Sequence, residues 1–191
     1  MKKIDSQSKK SSGTYVGLTN PKNPTNVGSV MRAAGNYDVE QVFYTGTRYD
    51  KAAQYAGKLN NTDTQNVTKK IALTNVENLS ELPSKLGNMP VSTKVICVDL
   101  VEGAIPLPHF EHPESAIYIF GPEDSTVPQE VIDKADAVVY VPTKGCMNLA
   151  ASVNVLLYDR LAKSLISKNK IETDNALIRN SRDKNNRTIV N

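Results

Sequence analysis

Five runs of apolar residues recur along the chain at strand length: "TYVGLT", "VEQVFYTG", "STKVICVDL", "SAIYIFG" and "DAVVYVP". Val, Ile and Tyr dominate them, and none shows the strict polar alternation of a sheet with one face in water. Such runs predict strands covered on both faces. Two segments carry a helical period instead. From Val27, the positions Val27, Val30, Met31 and Ala34 follow i, i+3, i+4, i+7, with Asn26 read as the N-cap. In "MNLAASVNVLLYDRLAKSLI", Leu149, Val153, Leu156, Leu157, Leu161 and Leu165 mark a broad apolar stripe, with Asn148 as a second N-cap. The polar middle, Tyr49 to Leu86, predicts one or two short helices, and the end of the chain a helical turn or two in a basic tail. Strands alternating with helices predict an α/β sandwich around a mainly parallel sheet.

Composition narrows the class. A chain of 191 residues, 39% hydrophobic, buries one good core and not two. The expected organisation is an N-terminal basic tail (1–13), one folded domain (14–162) and a basic C-terminal extension (163–191). No run approaches a membrane span, and "MKKIDSQSKKSSG" has no apolar stretch of a secretory signal, so a cytoplasmic protein is expected. Two cysteines, Cys97 in a strand and Cys146 in a loop, make no disulfide framework. With only His109 and His112 beside them, no standard zinc spacing arises and no metal is expected.

Net charge is +3, unevenly spread. Residues 1–13 hold four lysines against Asp5, and residues 163–191 hold seven basic residues against Glu172, Asp174 and Asp183, which leaves 14–162 at −4. Basic ends either attract a polyanion such as RNA or are simply solvated, and charge alone leaves both open.

Three segments carry candidate chemistry. In "NPKNPTNVGSVMRAAG", Pro21, Pro24 and Gly28 shape a loop leading into the helix that bears Arg32. Five residues of helix rise only about 7.5 Å, so Arg32 is in reach of the Asn23–Asn26 loop, where a fixed cation holds phosphate, carboxylate or a developing alkoxide. A surface pairing with Asp38 or Glu40 is the plainer reading. In "IYIFGPEDSTVP" a strand ends abruptly at Gly121, where a ligand can approach the backbone. In "VVYVPTKGCMNLAASVNVLLYDRL" a strand, a proline stop and a small-residue loop lead to the helix capped by Asn148. The chain has no GxGxxG, GxxxxGK[ST] or GxSxG, which disfavours dinucleotide, P-loop and serine-hydrolase chemistry.

Taken in this order, the three segments resemble the three motifs of the SpoU, or TrmH-type, branch of the SPOUT superfamily of RNA methyltransferases, over roughly residues 14–162. The resemblance implies an α/β domain with a C-terminal trefoil knot, S-adenosylmethionine as methyl donor, RNA (tRNA or rRNA) as partner, and a homodimer with sites at the subunit interface. It places Val98, Asp99, Phe120, Gly121, Val141, Cys146, Met147 and Leu149 against the donor. Arg32 corresponds to the catalytic arginine, with Asn26, Glu123 and Asn148 supporting it. The implied reaction is methylation of a ribose 2′-hydroxyl; the alternative is an RNA-binding or assembly factor of the same fold without turnover. Two positions depart from the family pattern: Thr126 stands where Gly is usual, and Cys146 where Ser is common.

Overall fold

A computed structural model describes residues 12–56, 71–170, 175–183 and 185–190. Seven strands form one sheet: β1 (Thr14–Leu18), β2 (Gln41–Tyr44), β3 (Ala72–Asn75), β4 (Lys94–Val98), β5 (Ile105–Pro106), β6 (Ala116–Phe120) and β7 (Ala137–Tyr140). The order is β3-β2-β1-β6-β4-β7-β5, and every neighbouring pair is parallel. All five apolar runs become strands. The central strand β6 is buried at each of its five residues, with Tyr118 registered between Val16 of β1 and Ile96 of β4. The edge strand β3 and the two-residue β5 were not expected.

Helix α1 spans Pro24–Asn36 and starts earlier than the apolar period indicated. Asn23, not Asn26, is the N-cap: its Oδ1 accepts from the Thr25 N–H at 2.9 Å. The reason is Pro24, whose fixed φ suits the first helical position and whose missing N–H costs nothing there. Asn26 therefore lies within the first turn, its side-chain amide released for another partner. The expectation for Asn148 holds. It caps α5 (Leu149–Ser167), its Oδ1 accepting from Ala151 N–H at 2.8 Å. The remaining helices are α2 (Arg48–Ala56), α3 (Leu82–Lys85), α4 (Gln129–Ile132) and α6 (Ala176–Ser181). Residues 57–70 of the polar middle, and 1–11 of the N-terminal tail, lie outside the described residues.

The sheet is covered on both faces. Helices α1 and α5 pack together over one, where Val16, Leu18, Val42, Tyr118 and Phe120 meet Val27, Val30, Val153, Leu156 and Leu157. Tyr15, Phe43, Cys97, Ile117 and Ile119 meet Leu79, Leu82, Met89 and Val127 over the other. Val153, Leu156 and Leu157 are each at most 2% exposed, and burial of that kind stabilises by about 1.5–3 kcal/mol per side chain.

A polar clasp fixes α5 to the chain entering β6. Arg160 donates to the carbonyls of Pro113 (2.6 Å) and Glu114 (2.8 Å), to Thr14 Oγ1 (3.0 Å) and to the Tyr118 hydroxyl (2.9 Å). Since Tyr118 accepts from Arg160, its own proton points to His112 Nδ1 at 2.7 Å, which leaves the Nε2–H of His112 to donate to Asp159 at 2.8 Å. Burial pushes the Tyr118 hydroxyl up to about 12, so that proton stays in place. Lys163 joins the clasp through the carbonyls of Leu107 (2.6 Å) and Phe110 (3.0 Å), so the folded unit reaches past residue 162.

Candidate active site

The carboxyl ends of β4, β6 and β7 stand side by side, and a cavity of about 270 Å³ opens beyond them. Val98 and Asp99 close β4; Phe120 and Gly121 lead out of β6; Val141, Cys146, Met147, Asn148 and Leu149 come from the loop between β7 and α5. Asn26 reaches it from α1 and Glu123 from the β6–α4 turn. The eight positions expected against the donor therefore line one cavity, together with three of the four expected catalytic side chains. Leu100, Pro122, Ser125, Thr143 and Ser152 line it as well and were not singled out in the sequence. Each is within a few residues of a motif, which was the available signal.

Glu123 joins the first motif to the second. Its carboxylate accepts from the backbone N–H of Lys22 (2.8 Å) and Asn23 (3.1 Å) and from the amide of Asn26 (3.1 Å). Burial works to raise this carboxyl, but those N–H donors prevail and hold it below its ordinary value. Asp99, at the end of the neighbouring strand β4, ties down loops in the same way: Oδ1 accepts from Leu100 N–H and Oδ2 from Val127 N–H, at 2.8 and 2.7 Å. A Cβ on Gly121 would sit 3.0 Å from Asp99 Oδ2, 3.1 Å from Val127 N and 3.2 Å from Thr126 C. The packing of the loop itself thus favours glycine, since a side chain here needs its neighbours to give by a few tenths of an ångström.

A charged cluster adjoins the cavity wall at Asp124, between the lining residues Glu123 and Ser125. Arg48 makes a two-pronged contact with Asp124, Nη1 to Oδ1 at 2.9 Å and Nη2 to Oδ2 at 2.7 Å, and Lys22 Nζ lies 3.4 Å from the same carboxylate. The hydrogen bonds from Arg48 hold the Asp124 carboxyl below its usual range.

The model of the SpoU rRNA methylase family matches residues 13–158. The chain belongs to this family. Solved structures of like fold include the A. aeolicus TrmH/SpoU tRNA modifying enzyme, with 19% identity, 85% of this chain and 80% of that one covered, and a TM-score of 0.67. The SpoU methyltransferase AviRb of Streptomyces viridochromogenes, solved with AdoMet, gives 15% identity, 82% and 62% coverage and a TM-score of 0.64. An rRNA methyltransferase from Sinorhizobium meliloti gives 18%, 79% and 56%, with a TM-score of 0.61. No curated protein sequence matches the chain.

Within this SpoU-family chain, Arg32 is the member of the expected site that the cavity does not include. It lies on the exposed side of α1, six residues from Asn26 and so about 240° around the helix at 100° per residue. Cys146 is free and exposed. Cys97, the other thiol, is buried under the sheet, and that burial pushes it up to about 12, so it is inert. Among the described residues no group of three or more His, Cys, Asp or Glu is placed to hold a metal ion.

The residues present fit a nucleoside-bearing donor. Val98, Phe120, Val141, Met147 and Leu149 give apolar wall for an adenine ring. Asp99, in the same wall, uses two of its roughly four acceptor positions on backbone N–H groups.

Proposed function

We propose that the protein methylates a ribose 2′-hydroxyl of tRNA or rRNA. Membership of the SpoU family makes it an RNA methyltransferase that uses S-adenosylmethionine. The observation that carries the finer reading is the convergence on one cavity, at the carboxyl edge of a parallel sheet, of a first motif and two later ones about a hundred residues further along the chain.

The donor, when bound, supplies an electrophilic methyl group on a sulfonium centre. The protein's own residues do the remainder. Val98, Phe120, Val141, Met147 and Leu149 hold the adenosine and exclude water, and Asp99 accepts from hydroxyls. Glu123 is a positioning residue: its bonds to Lys22, Asn23 and Asn26 fix the start of α1 against the cavity. Asn26 and Asn148 orient the incoming ribose. A ribose hydroxyl is a poor nucleophile until negative charge develops on it, and Arg32 stabilises that charge; a guanidinium keeps its proton at ordinary pH and is no base. A phosphate of the RNA or a water takes the proton.

Because Arg32 is exposed and does not line the cavity of its own subunit, the proposal includes a homodimer. On α5, Val155, Tyr158 and Ile166 share one helical face and are 38%, 61% and 66% exposed, beside half-buried Ala151, Ala162 and Leu165. A second copy seated on that face, next to α1, brings Arg32 into a site that two subunits close. The trefoil path of the chain and action in the cytoplasm belong to the same proposal; among the described residues no helix is long and apolar enough to cross a membrane.

The departures at Thr126 and at Cys146, which lines the cavity, favour a second reading, an RNA-binding factor of this fold without turnover. Calorimetric titration of S-adenosylmethionine into the folded protein separates the two. Saturable binding at one site per chain is expected for the enzyme, and no detectable heat from folded protein refutes it.

A further inference from the structure

We infer that Arg48 and Lys22 form a seat for an RNA phosphate beside the wall of the cavity, occupied in the free protein by the carboxylate of Asp124. The inference rests on the reading of RNA as substrate and specifies where its backbone is gripped.

The geometry is that of an anion site. The fork of Arg48 meets both oxygens of Asp124, at 2.9 and 2.7 Å, and Lys22 approaches one of them at 3.4 Å. A guanidinium fork matches carboxylate and phosphate oxygens alike. Two cations meet the one carboxylate of Asp124, so a phosphate that takes its place is held by both. The contact is also exchangeable: the side chains of Lys22, Arg48 and Asp124 are 62%, 32% and 46% exposed, and exposed ion pairs contribute little stability.

The seat is fixed relative to the chemistry. Asp124 lies between Glu123 and Ser125, both in the cavity wall. The backbone of Lys22 is tied to Glu123 at 2.8 Å, and the backbone N–H of Arg48 donates to Asn20 Oδ1 at 3.4 Å. The backbones of both cations are therefore anchored while their side-chain ends remain exchangeable. Glu123 also attracts Arg48, but its oxygens are taken by N–H groups of Lys22, Asn23 and Asn26, and the guanidinium fork meets Asp124. Residues 14–162 carry −4 overall, so a polyanion approaching the domain needs a local cationic entry point. A phosphate that takes the Arg48 fork displaces Asp124 into solvent, with no bond made or broken covalently.

The test is anisotropy titration of unfractionated transfer RNA over a range of salt concentrations, on the whole protein and three variants. Arg48→Gln is expected to weaken binding about two- to fivefold, the scale of one exposed ion pair. It should also reduce the slope of log K against log salt by about 0.7–0.9, the loss of one phosphate contact. Arg48→Lys keeps that slope. Asp124→Asn tightens binding, because it removes the competing carboxylate. A tether between loops gives another pattern: Arg48→Gln and Asp124→Asn then weaken RNA binding together, or neither changes the slope, and either result overturns the inference. S-adenosylmethionine titrated into the same variants should bind as in the unaltered protein; a loss confined to Arg48→Gln and Asp124→Asn also marks a tether. Unaltered protein that binds RNA but no donor fails the methyltransferase reading and leaves the seat intact.

Discussion

Asn148 has two roles, and substitution separates them. As N-cap of α5 it satisfies the Ala151 N–H through Oδ1 at 2.8 Å, and in the proposed mechanism it offers its Nδ2 amide to the ribose from the cavity wall. Asn148→Ala removes the cap. The site is exposed, so water replaces part of the bond, and the cost falls near the middle of the usual range, about 1 kcal/mol. For a chain of this size that lowers Tm by about 2–4 °C. Helix α5 persists, since Val153, Leu156 and Leu157 hold it to the sheet. Asn148→Asp keeps the cap, because aspartate caps as well as asparagine, and it replaces the amide donors with negative charge. Thermal melts are therefore expected to show a loss for Asn148→Ala and a change within about 0.5 kcal/mol for Asn148→Asp. Methyl transfer to RNA, measured with labelled donor, is expected to fall in both by about tenfold to a hundredfold, the scale of a misplaced reactant. Asn148→Asp with both normal stability and normal transfer would refute the second role and leave a helix cap.

Three other consequences are as direct. Tyr118→Phe deprives His112 Nδ1 of its donor and Arg160 of one acceptor inside a buried clasp, at about 2 kcal/mol, read as a Tm lower by about 4–8 °C. Burial lowers the folded-state value of His112 from its ordinary 6.5, against the pull of Asp159. The unfolded chain thus takes up a proton first, and stability falls as pH drops below 6.5 towards the folded-state value; His112→Asn should flatten that fall in pH-dependent melts. Gly121→Ala puts a methyl 3.0 Å from Asp99 Oδ2 and 3.1 Å from Val127 N, and should cost about 1–3 kcal/mol together with donor affinity, measured by melts and calorimetry.

The five central strands were legible because burial on both faces leaves a continuous apolar run. Edge strand β3 was not, since Ala72 and Asn75 are exposed and its pattern is that of a loop, and β5 is too short for any period. The start of α1 was misread by weighing the apolar period from Val27 above Pro24, the stronger local signal. The cavity was legible through three motifs in order, each too weak to stand alone. The clasp was not, because Thr14, His112, Tyr118, Asp159 and Arg160 meet only through strand order and the docking of α5. The exposure of Arg32 was legible too, since it falls outside the apolar period Val27, Val30, Met31 and Ala34.

The central claim is transfer of a methyl group to a ribose by a site that needs Arg32. Its most direct measurement is nuclease digestion and mass spectrometry of RNA treated with S-adenosylmethionine and either the protein or its Arg32→Ala variant. A 2′-O-methylated nucleoside is predicted with the unaltered protein and none with the variant, which should still bind the donor. A methyl group on a base, or a methylated ribose formed equally well without Arg32, would contradict the claim.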